Sequence, residues 1–281
     1  MTTPAARAAL VLLALGTSSL AAQTWRTVEI SRPLRDMSAL SVRLEYAAGV
    51  LDVRPGAGAS LYSMNLKYDA DRSEPTARYD AAGHALVLGI RSHNMHYNGG
   101  QHESGSMHAA LSTKVPMDLA LELGAVEADV QLGGMRLSDL SVKTGAADVA
   151  IRFDQPNPDL LHQMTLECGA ASLKLVRAGN SGVERVNATV GVGAIDLDLG
   201  GALAHDVTVA ATLAMGTFTL RVPRDVGVSV DVSTFLADFD RTGLVKRGDA
   251  WYTPGYTDAT RKVTVRVKAF LGSFVLAREA P

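Results

Sequence analysis

Cysteine occurs once, at position 168, in a chain of 281 residues, so no intrachain disulfide can form. Nothing beside Cys168 would lower its pKa, and its place on a β-like stretch predicts a buried structural thiol. Aromatic residues are scarce, at 5%, and no long segment carries a helical period. Beyond the N-terminus no run of 18 apolar residues occurs, which predicts a mature chain without a membrane span. Charge of one sign is missing too. The formal net charge is −2, and lysines and arginines are dispersed, which excludes the electrostatic footprint of a nucleic-acid binder.

Residues 1–22 have the layout of a secretory signal peptide. Arg7 supplies the positive start, Ala8 to Leu15 an apolar core too short to span a bilayer, and Ser19-Leu20-Ala21 small residues for cleavage after Ala21 or Ala22. No cysteine follows that would carry a lipid anchor. The expectation is an exported protein, whether periplasmic, cell-surface or extracellular. An exported chain of this size can rely on its core in place of disulfides.

What is abundant is glycine, 26 residues, and one glycine returns with the same neighbours. Leu-Glu-Leu-Gly124-Ala-Val-Glu-Ala-Asp-Val is followed by Val-Lys-Thr-Gly145-Ala-Ala-Asp-Val-Ala-Ile and Leu-Glu-Cys-Gly169-Ala-Ala-Ser-Leu-Lys-Leu. Val-Gly-Val-Gly193-Ala-Ile-Asp-Leu-Asp-Leu and Leu-Ala-Met-Gly216-Thr-Phe-Thr-Leu-Arg-Val continue the series. The steps, 21, 24, 24 and 23 residues by subtraction of these positions, are those of a stacked repeat. After each glycine, apolar and polar residues alternate at period two, the mark of a half-buried strand. Ile195, Leu197 and Leu199 take one side; Asp196 and Asp198 take the other. A one-residue slip would invert every strand, so the pattern predicts one inward face throughout. Each unit reads as strand, corner at glycine, strand, loop. Glycine suits the corner because it accepts positive φ and permits close backbone approach.

The predicted fold is therefore all-β, a glycine-cornered repeat array resembling a β-solenoid. Its divisions are an N-terminal β region at 23–92, a polar His- and Gly-rich loop at 93–110, and the repetitive array with a C-terminal cap at 111–281. Gly49 repeats the corner in the first region and Gly272 in the last strand pair. Gly248 to Tyr256 interrupts the array as a hairpin or cap.

These residues resemble the toast-rack family of exported bacterial proteins. Leu44-Glu-Tyr-Ala-Ala-Gly49-Val-Leu-Asp-Val, with the strands from Leu61 to Tyr79, is similar to the family's N-terminal domain. Leu119 to Arg278 resembles its glycine-punctuated section. Val265-Arg-Val-Lys-Ala-Phe-Leu-Gly272-Ser-Phe-Val-Leu is similar to the final strand pair of cell-wall-active-antibiotic-response (LiaF-like) domains. The resemblance implies a solenoid-like stack of strands in the cell envelope and brings no catalytic residues. LiaF-like proteins also carry several transmembrane helices, which this sequence lacks.

Candidate sites are few. His93, His96, His102 and His108 share one segment with Met95 and Met107, and imidazole and thioether can bind Zn, Cu or Ni. Their spacing matches no zinc motif, and Gly99, Gly100 and Gly105 oppose a fixed cage, so no resident metal or other cofactor is expected. Glu127, Asp148, Asp196 and Asp198 form an outward acidic set that could ligate Ca²⁺, offset by Lys174 and Arg221. Trp251, Tyr252 and Tyr256 could stack on sugars or cap the array. Gly179-Asn-Ser181-Gly182 and Gly56-Ala-Gly58-Ala-Ser60 read as turns, lacking the context of a nucleophile elbow or a dinucleotide fold. The expected function is a non-enzymatic envelope scaffold or interaction module whose partner is an envelope protein or polysaccharide. The alternatives are a carbohydrate-binding or carbohydrate-cleaving β-helical protein and a periplasmic metal-binding protein.

Overall fold

The computed structural model describes residues 24–92 and 105–279. The leader at 1–22 and three of the four candidate histidines, His93, His96 and His102, lie outside them. Strand accounts for 68% of the described residues and helix for 2%, so the fold is all-β. The strands are β1 (Trp25–Pro33), β2 (Leu40–Gly56), β3 (Ser60–Asp69), β4 (Ser73–Asp80), β5 (Ala85–Ser92), β6 (Ser106–Ser112), β7 (Met117–Gln131), β8 (Leu137–Thr144) and β9 (Asp148–Arg152). They continue as β10 (Leu161–Cys168), β11 (Ser172–Val176), β12 (Val183–Val190), β13 (Ala194–Asp198), β14 (Val207–Pro223), β15 (Gly227–Phe239), β16 (Val245–Arg247), β17 (Ala250–Tyr252) and β18 (Lys262–Glu279).

Pairing between successive repeats is parallel, and it runs in two ladders. Strands before the corner form the first, in the order β5, β2, β7, β8, β10, β12, β14, β18, β15. Strands after the corner form the second, in the order β6, β2, β7, β9, β11, β13, β14, β18, β15. The long strands β2, β7, β14, β15 and β18 pass through the corner and belong to both. At the N-terminal end antiparallel strands close the array, β4 on β5 and β1 on β3 on β6. Near the C-terminal end the β16–β17 hairpin occupies the expected interruption and covers Ser229 and Val230 of β15.

The alternating pattern is what drives this arrangement. In β7 every second residue from Met117 to Leu123 is buried, and so is every second residue from Val126 to Val130. Leu197 and Leu199 are fully buried, while Asp196 and Asp198 are half-buried on the outer side. Both ladders contribute to one apolar core that extends from Leu40 to Phe274. Each fully buried Leu, Ile or Val contributes about 1.5–3 kcal/mol relative to exposure. The return loops are tied by side-chain amides, half-buried at Asn157 and buried at Asn180. Asn157 Nδ2 donates to the Leu137 and Ser181 carbonyls at 2.8 and 3.1 Å, and Asn180 Nδ2 donates to the Phe153 carbonyl at 2.7 Å. The turn expected at Gly179–Gly182 is a 3₁₀ turn at Ala178–Ser181.

Three expectations need correction. The polar segment 93–110 is not loop to its end, because Ser106–Ser112 form β6, which pairs with both β2 and β3. The N-terminal region is not set apart by it either: Leu40 to Val53 of β2 pair directly with Met117 to Val130 of β7. The third concerns the fourth corner. Ser172 pairs with Ala194, and the Val192 N–H donates to the Gly169 carbonyl. Gly191 thus stacks on Gly169, and the step is 22 residues (169 to 191) in place of 24. Gly193 stacks on Ala171 and starts a second column that runs through Gly216 to Gly272. The corner glycines also act differently from one another. Gly49 and Gly272 have φ of 120° and 118°, whereas Gly124, Gly145, Gly169, Gly193 and Gly216 lie outside the left-handed region. What these five supply is space. A Cβ on Gly169 would lie 2.8 Å from the Gly145 carbonyl oxygen, and one on Gly193 would overlap that of Ala171.

Candidate functional site

An open trough of about 800 Å³ crosses the repeats beside their corners. One side chain per repeat lines its wall: Glu122, Lys143, Glu167 and Thr189 each stand two residues before a corner glycine, and Glu45 stands two before Ala47, which the register sets beside Gly124 while Gly49 falls beside Val126. The register places Glu45 beside Glu122, then Lys143, Glu167 and Thr189. Gly124, Gly145, Gly169 and Gly191 line the trough beside them. The charges are partly matched, by Arg43 from the neighbouring row and by Lys143 within it. Arg43 Nη1 lies 3.4 Å from Glu122 Oε1, and Lys143 Nζ lies 3.5 Å from Glu167 Oε1. Tyr46 and Cys168 also border the trough, and both are buried. The Tyr46 hydroxyl has no hydrogen-bond partner among the described residues, and burial pushes its pKa up to about 12. The Cys168 thiol donates to the Ala171 carbonyl at 3.0 Å.

The outward face of the second ladder carries ion pairs. Arg54 and Arg152 both reach Asp129, and Arg221 donates from Nε and Nη2 to the two oxygens of Asp196 at 2.8 and 3.0 Å. Glu279 accepts a further bond from Arg221 Nη1 at 2.9 Å. These bonds, the pair with Asp196 foremost, hold the Arg221 guanidinium above its ordinary pKa. The expected acidic set does not form one row. Glu127 pairs with Asp148 and that row continues to Ser172, Ala194 and Thr217, while Asp196 stands with Lys174 and Thr219, and Asp198 beside Arg221.

His108 is the one candidate histidine within the described residues. It is exposed on β6, with Nδ1 4.0 Å from Asp52 Oδ1, and Arg54 holds the same carboxylate at 2.6 Å. Among the described residues no group of three or more His, Cys, Asp or Glu side chains is placed to hold a metal ion. Trp251 and Tyr252 lie on β17, half-buried, with cationic groups over their rings: Arg241 and Lys246 for Trp251, Arg247 for Tyr252. Tyr256 packs edge-on against Tyr252, 4.9 Å between centroids. None of these rings borders the trough, so aromatics and trough carboxylates do not converge on one site.

Sequence reasoning missed the trough row, although its signal is present: Glu122, Lys143, Glu167 and Thr189 each stand two residues before a corner glycine. It also missed β15. There Ala237 stands in the register place of Gly272, so no repeat glycine marks the corner.

Among the described residues no helix is long and apolar enough to cross a membrane. The N-terminal domain of toast-rack proteins, DUF2154, matches residues 21–176, and the C-terminal domain of the cell wall-active antibiotics response protein LiaF matches residues 178–275. No curated protein matches the sequence. Similar solved structures include a candidate cell adhesion protein from Clostridium sporogenes, 15% identical, covering 90% of this chain and 100% of its own, with a TM-score of 0.46. A candidate adhesin from Bacteroides fragilis is 9% identical over 89% of this chain and 97% of its own, with a TM-score of 0.37. A candidate lipid-binding protein from Parabacteroides distasonis is 10% identical over 91% and 96%, with a TM-score of 0.39. With more than half of its length matched by the first of the two domain families, the chain belongs to the toast-rack family and carries a LiaF-like C-terminal section.

Proposed function

We propose that the protein is an exported, non-enzymatic component of the cell envelope, in which a β-solenoid-like stack of strands serves as a scaffold or interaction module. One observation carries this reading. The outer faces of both ladders bear straight rows of short polar and charged side chains, one per repeat, held in register by a single core. The charged members bond to one another diagonally, from one row to the next, as in Arg54–Asp129–Arg152 and Glu279–Arg221–Asp196. Such a surface is suited to extended contact with a partner, where rigid and complementary polar groups give specificity. The similarity of this chain's C-terminal section to that of a cell wall-active antibiotics response protein supports an envelope location.

The test is photo-crosslinking in cells that make the protein, with a photoreactive residue at Asn187 or Thr208, both exposed on the first ladder. A discrete adduct with one envelope component is expected, and purified envelope polysaccharide should remain intact when incubated with the mature protein. Release of soluble fragments from that polysaccharide, lost in Glu122→Gln plus Glu167→Gln, would replace this reading with the carbohydrate-cleaving one.

A further inference from the structure

The first ladder does not end in a covered strand. β15 is paired with β18 from Gly227 to Phe239 on one side, but on the other β17 pairs only with Ser229 and Val230. From Asp231 to Phe239 the outer edge of β15 therefore offers its backbone groups without a pairing strand among the described residues. An apolar ridge runs across the corners to this edge and stops there. Phe235, Leu236 and Phe270 are 71%, 67% and 57% exposed. The Phe235 and Phe270 rings stack with centroids 5.3 Å apart and planes at 4°. Leu236, Leu271 and Met215 occupy one register row behind them. Native proteins usually blunt such an edge with charged side chains, lysine above all, or with a proline or a bulge; between Asp231 and Phe239 there is no lysine, proline or bulge, and the only charges are the carboxylates of Asp231 and Asp238.

We propose that the open edge of β15 is a docking site for an extended strand of a partner polypeptide, apolar at its centre and basic in the half that faces Asp231. This rests on the binding reading above and gives it a place. The chemistry of the missing strand can be read from the side already covered. Against β15, β18 sets Arg266 opposite Asp231, Leu271 opposite Leu236 and Phe274 opposite Phe239, with Lys268 between. On the open side the charged residues of the edge are Asp231 and Asp238, with Asp240 immediately after it. Asp231 and Asp238 have no ion pair among the described residues. A second copy adding its own β15 would bring aspartates against aspartates. An anionic bilayer surface would meet the same carboxylates and leave the open backbone groups without partners. A basic, apolar strand satisfies the backbone, the ridge and the charge together, as in strand addition at other sheet edges.

The probe is a fluorescent peptide with the sequence of Lys262 to Val275, titrated with the mature protein and read by anisotropy. Saturable binding is expected, weakened about tenfold or more by Asp231→Lys plus Asp238→Lys, since an opposed like charge costs several-fold in affinity. Phe235→Ser should weaken it as well, and melting temperatures of both variants should match the parent, because these side chains are exposed. A peptide with proline at the Val265 and Val267 positions cannot pair as a strand and should not bind. Equal binding by the charge-reversed protein or by the proline peptide would overturn the proposal. So would a dimer in sedimentation that Phe235→Ser dissolves, which would make the occupant a second copy. Co-sedimentation with phosphatidylglycerol vesicles lost in Phe235→Ser would likewise make it a lipid surface. If the peptide fails while crosslinks from Asn187 persist in the Phe235→Ser protein, the edge is not the docking site and the broader binding reading stands.

Discussion

At the scale of single residues, side chains of the same repeat carry opposite consequences. Leu197 is fully buried between Leu175 and Leu220 in the second ladder. Leu197→Asp would put an unpaired carboxylate into the core and should cost roughly 4 kcal/mol or more. Its neighbour Asp196 is half-buried and bonded to Arg221. Because that pair borders solvent, Asp196→Asn should cost no more than about 1 kcal/mol. Urea unfolding of the two variants checks the contrast, and equal losses would contradict the inward register. The glycines make a finer test. A Cβ on Gly145 would lie 3.2 Å from the Gly124 carbonyl oxygen, whereas one on Gly193 would overlap the Ala171 carbonyl. Neither residue has a left-handed φ. Gly193→Ala should therefore lower the melting temperature well beyond Gly145→Ala, although dihedral preference alone would treat the two alike.

Among the elements, the start of the first ladder holds a group whose charge opposes folding. Asp118 on β7 pairs in register with Asp139 on β8. Desolvation, then the Asp139 carboxylate, push the pKa of the exposed Asp118 above its ordinary value of 3.8, with His162 opposing. A carboxyl whose folded pKa is raised binds its proton more tightly in the folded state. Its stabilising contribution is present below the unfolded pKa and is lost as pH rises through the folded one. Asp118→Asn should thus raise the melting temperature at neutral pH relative to the parent, with the difference shrinking as pH falls through the raised folded value and gone once pH is well below about 4. Thermal melts across this range check the sign; a lower melting temperature for the variant at neutral pH would contradict it. The elements also show how far the sequence could be read. The strands and their buried face were legible because a period of two is fixed by the pleat. The fourth corner was not, because Val-Gly191-Val-Gly193 offers two glycines two residues apart. A slip of two leaves every side chain on its proper face, so alternation cannot separate the two registers. Likewise β15 has Ala237 where its partner β18 has Gly272, and a search for recurring glycines passes over it. The trough row was legible only in part: Glu122, Lys143, Glu167 and Thr189 stand two residues before a glycine, but Glu45 does not, and a row that mixes Glu, Lys and Thr shows no repeat of residue type.

For the whole molecule the account makes one claim above the others: the region before residue 93 and the repeats after residue 105 are a single array. β2 lies within both ladders, and its side chains join the same core as those of β18. Arrays of repeats can lose cooperativity between distant units, so the claim has a measurable consequence. The protein has two tryptophans, Trp25 and Trp251. They sit on β1 and β17, in the antiparallel elements near opposite ends of the array. Trp25→Phe and Trp251→Phe leave one reporter at each end. The most direct measurement is urea unfolding of these two variants followed by tryptophan fluorescence, each compared with its own far-ultraviolet circular dichroism. The account predicts that fluorescence and dichroism give one coincident transition in each variant. A Trp25 transition displaced from the dichroism of the same protein would contradict it, and would divide the chain into two separately folding parts.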